Sequence, residues 1–248
     1  MDGLPEEIKS FLRENNKGAA GDAADPPTAP TGAAVDDPSK DAPETPEAKA
    51  ERQLDQRKAA EALLSKEVRE ARIKEAEAAK AIGNDHFGHG RWKEAEDAYT
   101  LAIDTGMVSE ATAMAVYYSN RSAARIKLTL WKAAIEDADA AMKFGAPNTK
   151  PLERRAHARW HSGDNELLEG ARDDYNTLLE GKPGHLPWMQ AVIDINKQID
   201  ARNERLKDEM MEQLRGLGNI VLNPFGLSTD SFQFTEQPGG GYSVNMKQ

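Results

Sequence analysis

The chain has 248 residues, a formal charge of −10, 39% hydrophobic and only 6% aromatic residues, and no cysteine. The acidic balance argues against nucleic acid as the main partner, because duplex binding is driven by neutralising phosphates. The absence of cysteine excludes a disulfide framework, a thiolate metal site and a thiol nucleophile.

Leu4, Ile8, Phe11 and Leu12 fall at helical spacing with Pro5 near the start, so residues 4–12 read as a short amphipathic helix. The opening residues are acidic, unlike a signal or transit peptide, and no run of about 18 apolar residues follows. A cytoplasmic protein is expected. From Asn15 to Glu47 the chain is mostly Ala, Pro, Asp, Thr and Gly. Such a composition cannot bury enough apolar surface to offset chain entropy, so residues 1–47 are expected to be largely disordered.

From Ala48 to Phe87 nearly every residue is a helix former, with no Pro and no Gly before Gly83. One long helix is expected there, a charged extension over 48–78 running into a repeat region over 79–183. The repeat is legible in two places. Asn120 and Arg154 are 34 residues apart, and Trp92, Ala95 and Ala102 recur as Trp131, Ala134 and Ala141. The His89-Gly90-Arg91 and Ser162-Gly163-Asp164 segments read as turns within repeats, and Gly145-Ala146-Pro147 reads as a helix stop between them. The link between the first two repeats, around Gly106 to Ala111, is five residues longer than the standard period, and the third repeat carries three extra residues before Ala171. A 34-residue unit of two helices is the period of a tetratricopeptide repeat (TPR), so the expected fold is an all-α superhelix of three such repeats. A capping helix is expected over 184–218, because the last repeat leaves an apolar face uncovered.

Polar residues share one face of the first helices. Lys80 and Asn84, and Lys150 and Arg154, are i,i+4 pairs, and Asn120 lies at the matching level of the second repeat. Three cations and two amides suit a carboxylate-rich ligand, since Lys and Arg supply charge-assisted bonds and Asn supplies amide N–H groups. The set resembles the two-carboxylate clamp of TPR co-chaperones, which grips the C-terminal Glu-Glu-Val-Asp of cytosolic heat-shock chaperones of the seventy- and ninety-kilodalton classes. The resemblance implies that Asn84 and Asn120 hold the terminal carboxylate, and that Lys80, Lys150 and Arg154 meet the remaining carboxylates. Phe87 and Ala123 would border a small pocket for the valine, and Lys127 would add charge. His157 and His161 follow Arg154 on the same helix, so protonating them should raise affinity modestly from pH 8 to pH 6.

The last thirty residues change character. Phe232 and Phe234, then Tyr242, Val244 and Met246, alternate with polar or small residues around a Pro238–Gly241 turn. With Ile220, Val221, Leu222, Phe225 and Leu227 they form a dense apolar set, so residues 219–248 are expected to pack as a tail with a short hairpin, Leu217 to Phe234 folding back on the terminal helix or the outer repeat surface. Asn203–Met210 and Leu217–Phe232 resemble the C-terminal segment of the tetratricopeptide repeat protein 1 family, a likeness running from about Ala79 to the end of the chain. That resemblance implies a small cytosolic co-chaperone or adaptor with no catalytic activity and no cofactor.

Other chemistry is weaker. His157 and His161 have a spacing that can bind metal, but no carboxylate or thiol partner is evident. No nucleophile motif or phosphate loop stands out. Asn223-Pro224-Phe225 matches the short motif read by endocytic EH domains, but the same residues belong to the tail that is expected to pack. The function expected is an adaptor, monomeric and without membrane or nucleic-acid partners, that binds chaperone C-terminal peptides and a second protein through its N- or C-terminal segment. The other reading is a scaffold that recognises a folded partner through its convex face or tail.

Overall fold

The computed structural model describes residues 45–145, 149–236 and 242–246. The expected helix over 4–12 and nearly all of the expected disordered segment lie outside the described residues. Two units are present, divided between Ile195 and Asn196.

The first unit opens with α1, Pro46–Ala62, capped by Thr45, whose hydroxyl accepts from the Ala48 N–H at 3.2 Å. Pro46 at the first helical position needs no amide partner. The single helix expected over 48–87 is interrupted: α1 stops at Leu63, and Ser65 caps a new helix, α2, Lys66–Gly88. Tertiary bonds hold α1 in place. Arg57 Nη2 donates to the carbonyls of Ile103, Asp104 and Gly106 at 2.9, 3.2 and 2.8 Å. The buried Glu61 carboxylate accepts from the N–H groups of Val108 and Ser109 at 2.7 and 2.9 Å. The five extra residues between the first two repeats are therefore clasped by α1.

Three helix hairpins follow. They are α2 with α3 (Trp92–Thr105), α4 (Ala111–Lys127) with α5 (Trp131–Lys143), and α6 (Thr149–His161) with α7 (Leu168–Gly181). Their inner turns use one backbone device. Gly90, Thr129 and Gly163 occupy equivalent positions and all have positive φ, +74°, +58° and +76°. In the first two turns the next residue donates back to the helix, Arg91 N–H to His86 O and Leu130 N–H to Arg125 O, each at 2.9 Å. The three extra residues of the third repeat form a short 3-10 turn, Asn165–Leu167, that delays α7.

The interior is alanine-rich, as the low aromatic content requires. Ala76, Ala79, Ala102, Ile103, Met114 and Tyr117 form one cluster, and Ala95, Tyr99 and Ala124 another, with Phe87 against it. Between the helices of the second and third repeats lies a feature that sequence reading missed. Arg121 makes two bonds to Asp137 at 2.7 and 2.9 Å, and Arg155 makes two to Asp174 at 2.6 and 2.9 Å. The arginines are 34 residues apart and the aspartates 37, the difference being the 3-10 turn.

The last helix, α8, Leu186–Leu222, starts in the first unit, where Trp188, Met189, Val192 and Ile195 are buried. In the second unit it runs past the expected end at 218 to Leu222. Two short 3-10 turns follow, then strands β1 (Phe232–Glu236) and β2 (Tyr242–Met246), paired antiparallel with Phe234 opposite Val244. The Thr229 N–H bonds Asn219 Oδ1 at 2.6 Å, so the chain does return on the end of its own helix. The expected burial of the apolar set follows only in part: Leu222, Leu227 and Phe232 are half-buried. Ile220 and Val221 in the last helical turn and Phe225 in the 3-10 turn after it are 70%, 66% and 77% exposed. Among the described residues, no helix is long and apolar enough to cross a membrane.

Candidate functional site

Gly83 sets the floor of the groove. A Cβ at this position would lie 2.6 and 2.7 Å from the Tyr99 ring, so only glycine permits this approach of α2 and α3. The approach brings the Tyr99 hydroxyl to Asn84, donating to its Oδ1 at 2.8 Å. Asn120 of α4 donates to the same oxygen at 3.2 Å. With Oδ1 taken twice, the Asn84 amide N–H group is the end left to face a ligand.

Around these amides lies a pocket of about 250 Å³, lined by Asn84, Phe87, Gly88 and Tyr99 from the first repeat and by Asn120, Ala123 and Arg154 beyond it. Five of the expected residues, Asn84, Phe87, Asn120, Ala123 and Arg154, thus meet at one cavity. Tyr99 and Gly88 were not expected; the position of Tyr99 on the second helix of its repeat gave no sign that its hydroxyl reaches the groove. Lys150, exposed, lines an adjoining groove with Val116, Ser119, Asn120 and Pro151. Lys80 and Lys127 line neither cavity. Lys80 lies one turn before Asn84 and Lys127 one turn beyond Ala123.

The charges differ in how they are held. Lys80 donates to Glu77, whose other oxygen accepts from the Tyr117 hydroxyl at 2.7 Å. The Lys80 donor, helped by Tyr117, lowers the Glu77 pKa below the ordinary carboxylate value. A ligand reaching Lys80 therefore has to displace or share an internal carboxylate. Lys127 lies exposed over the Trp92 ring, 5.8 Å from its centroid. Arg154 is different again. Its guanidinium donates to the backbone carbonyl and hydroxyl of Ser119, and it has no carboxylate at ion-pair distance among the described residues. Burial lowers its pKa, opposed in part by Tyr99 and Glu153. Burial likewise raises the pKa of Tyr99, with Arg154 opposing.

The histidine expectation needs correction. His157 is half-buried, stacked on His161 at 4.1 Å and near Trp131, with its Nδ1 buried and unpartnered. Burial, then the fields of His161 and Lys127, push its pKa down. That shift makes His157 harder to charge than an ordinary imidazole and works against the expected gain in affinity on acidification. His161 Nδ1 is bonded to the His157 carbonyl at 2.9 Å. No group of three metal-ligating side chains is present among the described residues.

Three helix hairpins on a 34-residue period, covered by a further helix, are the architecture of a tetratricopeptide-repeat array. No protein-family model matches the chain. It is similar to Sperm-associated antigen 1 of Rattus norvegicus and of Mus musculus, at 33% identity over 85 residues in each case. The match covers 34% of this chain and spans 9% of those much longer proteins. Among solved structures it is similar to the TPR domain of Arabidopsis OM64, at 28% identity and a TM-score of 0.45 over 52% of this chain and 99% of that one. It is also similar to the first TPR of Spaghetti (RPAP3) bound to the HSP90 peptide SRMEEVD, at 27% identity and a TM-score of 0.44, covering 52% and 98%. A third likeness is to the TPR2B domain of yeast Sti1 in complex with pHsp70, at 28% identity and a TM-score of 0.39, covering 50% and 98%.

Proposed function

We propose that the chain is a non-catalytic cytoplasmic adaptor whose groove holds the acidic C-terminal peptide of heat-shock chaperones. The classes meant are the seventy- and ninety-kilodalton ones, whose chains end in Glu-Glu-Val-Asp. The observation that carries the reading is Arg154. Its neighbours Arg121, Arg125, Arg155 and Arg159 each pair with an Asp or Glu inside the array. Arg154 is as deeply set, has no such partner among the described residues, and opens on the pocket beside two amides. A carboxylate placed there gains charge-assisted bonds in a partly dry site, where they are stronger than in water.

The proposed roles follow the geometry. Asn84 and Asn120 grip the terminal carboxylate; Arg154 and, from the adjoining groove, Lys150 take the others. The valine side chain sits against Phe87 and Ala123, and Lys80 joins by exchanging Glu77 for a ligand oxygen. Lys127 adds charge from one turn away. We place the chain with the tetratricopeptide repeat protein 1 family on the likeness of its Asn203–Met210 and Leu217–Phe232 segments. Calorimetry with a peptide ending in Glu-Glu-Val-Asp tests the reading. Binding should be micromolar, as a few partly exposed charge-assisted bonds allow. It should weaken at least tenfold on amidating the peptide or on Arg154→Ala. Equal affinity for the acid and the amide would overturn the clamp.

A further inference from the structure

The proposed groove leaves the second unit unused, and that unit displays a complete short motif. Asn223, Pro224 and Phe225 form a 3-10 turn immediately after α8. Gly226 follows at φ +69°, in the left-handed region, and its N–H closes the turn on the Asn223 carbonyl at 3.0 Å. The next amide, of Leu227, returns to the Leu222 carbonyl at 3.2 Å. The loop is tied again further on. Thr229 N–H bonds Asn219 Oδ1 at 2.6 Å, and Ser228 with Ser231 forms a reciprocal cap. Hydrogen bonds at both ends therefore fix the turn without using its side chains.

What the turn presents is unusual for a tail. Phe225 is 77% exposed, and Val221 and Ile220, shortly before it in the chain, are exposed too. The Asn223 side chain is exposed and has no hydrogen-bond partner among the described residues. An apolar ring in water, an idle amide two residues before it, and a rigid proline between them make a recognition set. The ring can enter an apolar pocket, the amide can give and take hydrogen bonds at its rim, and the fixed backbone lowers the ordering cost of binding.

We propose that the Asn223–Phe225 turn is a docking motif for a partner domain with a small apolar pocket and polar groups at its mouth, the chemistry by which EH domains read Asn-Pro-Phe. The turn works as a preformed epitope, independent of the groove. A purified EH domain of an endocytic adaptor, isotopically labelled, is titrated with the full chain and followed by NMR. Saturable shifts mapping to the domain's peptide pocket are expected, with affinity falling at least tenfold for Phe225→Ala and for Asn223→Ala. Both residues are exposed, so unchanged thermal unfolding of the variants should accompany the loss. Gly226→Ala, which strains the left-handed position, should weaken binding while leaving the motif's side chains intact. Absence of saturable binding, or binding unchanged by Phe225→Ala, overturns the proposal. So does concentration-dependent self-association that Phe225→Ala abolishes, since the ring would then serve a second copy. Adding the Glu-Glu-Val-Asp peptide should not change the EH titration, so failure here leaves the groove reading standing.

Discussion

Replacing Gly83 by alanine tests whether helix packing and the pocket are one structure. On helix propensity alone the change should help, by about 0.8–1 kcal/mol. The new methyl carbon, however, would sit 2.6 and 2.7 Å from two Tyr99 ring carbons, against a comfortable carbon–carbon separation of about 3.5–4.0 Å. The ring must retreat by roughly 1 Å on that scale. It has little room, being 2% exposed and packed with Ala95 and Ala124. Overpacking of this kind costs about 1–3 kcal/mol, and loss of the Tyr99–Asn84 hydrogen bond about 0.5–1.5 kcal/mol more. The net expectation is a loss of about 2 kcal/mol, or about 4–8 °C in Tm for a unit of this size. The Asn84 amide also loses its anchor, so affinity for the acidic peptide should fall in parallel. Thermal unfolding by circular dichroism reads the first effect and calorimetry the second. Gly216, in α8, is the control, since nothing lies within 4 Å of its would-be Cβ and alanine there should be neutral or stabilising. A raised Tm for Gly83→Ala, matching that of Gly216→Ala, would refute the reasoning.

Two further outcomes follow from particular residues. Thr129 has φ +58° where the other two repeats have glycine, and a β-branched side chain in that region is strained by about 1–2 kcal/mol. Thr129→Gly should therefore stabilise the array by up to about 1 kcal/mol after the greater chain entropy of glycine is charged, as a higher denaturant midpoint will show. For His157, the folded pKa is lowered by burial and by its charged neighbours. Its contribution to stability is present above the unfolded value, about 6.5, and is lost as pH falls through the folded pKa. Tm should drop between pH 7.5 and pH 5.5, and His157→Gln should flatten that slope. An unchanged slope would mean that other groups carry the pH dependence.

Much of the fold was legible in the sequence because repeats impose local rules. The Trp92/Trp131 and Asn120/Arg154 spacings set the helix hairpins, and turn glycines marked their limits, since a 34-residue unit contacts mainly its neighbours. Side-chain periodicity likewise placed Asn84, Asn120 and Arg154 on one face. Partner choice was mostly not legible, because apart from the i,i+3 pair of Glu77 and Lys80 it depends on residues distant in the chain. Glu77 holds Lys80 across one helical turn, Tyr99 reaches Asn84 from the second helix, and Arg121 and Arg155 belong to internal aspartates rather than to the groove. The break at Leu63–Ser65 and the docking of α1 also escaped. Helix propensity reports the local backbone alone, whereas Arg57 and Glu61 are fixed by carbonyl and amide groups more than forty residues away. Composition marked Phe225 for burial; only the tertiary structure decides on which side of the chain its ring emerges. The sequence by itself determined the repeat, the helices and the polar face. The tertiary structure decided which charges are spent between helices, because those salt bridges depend on distance in space and not on register along the chain.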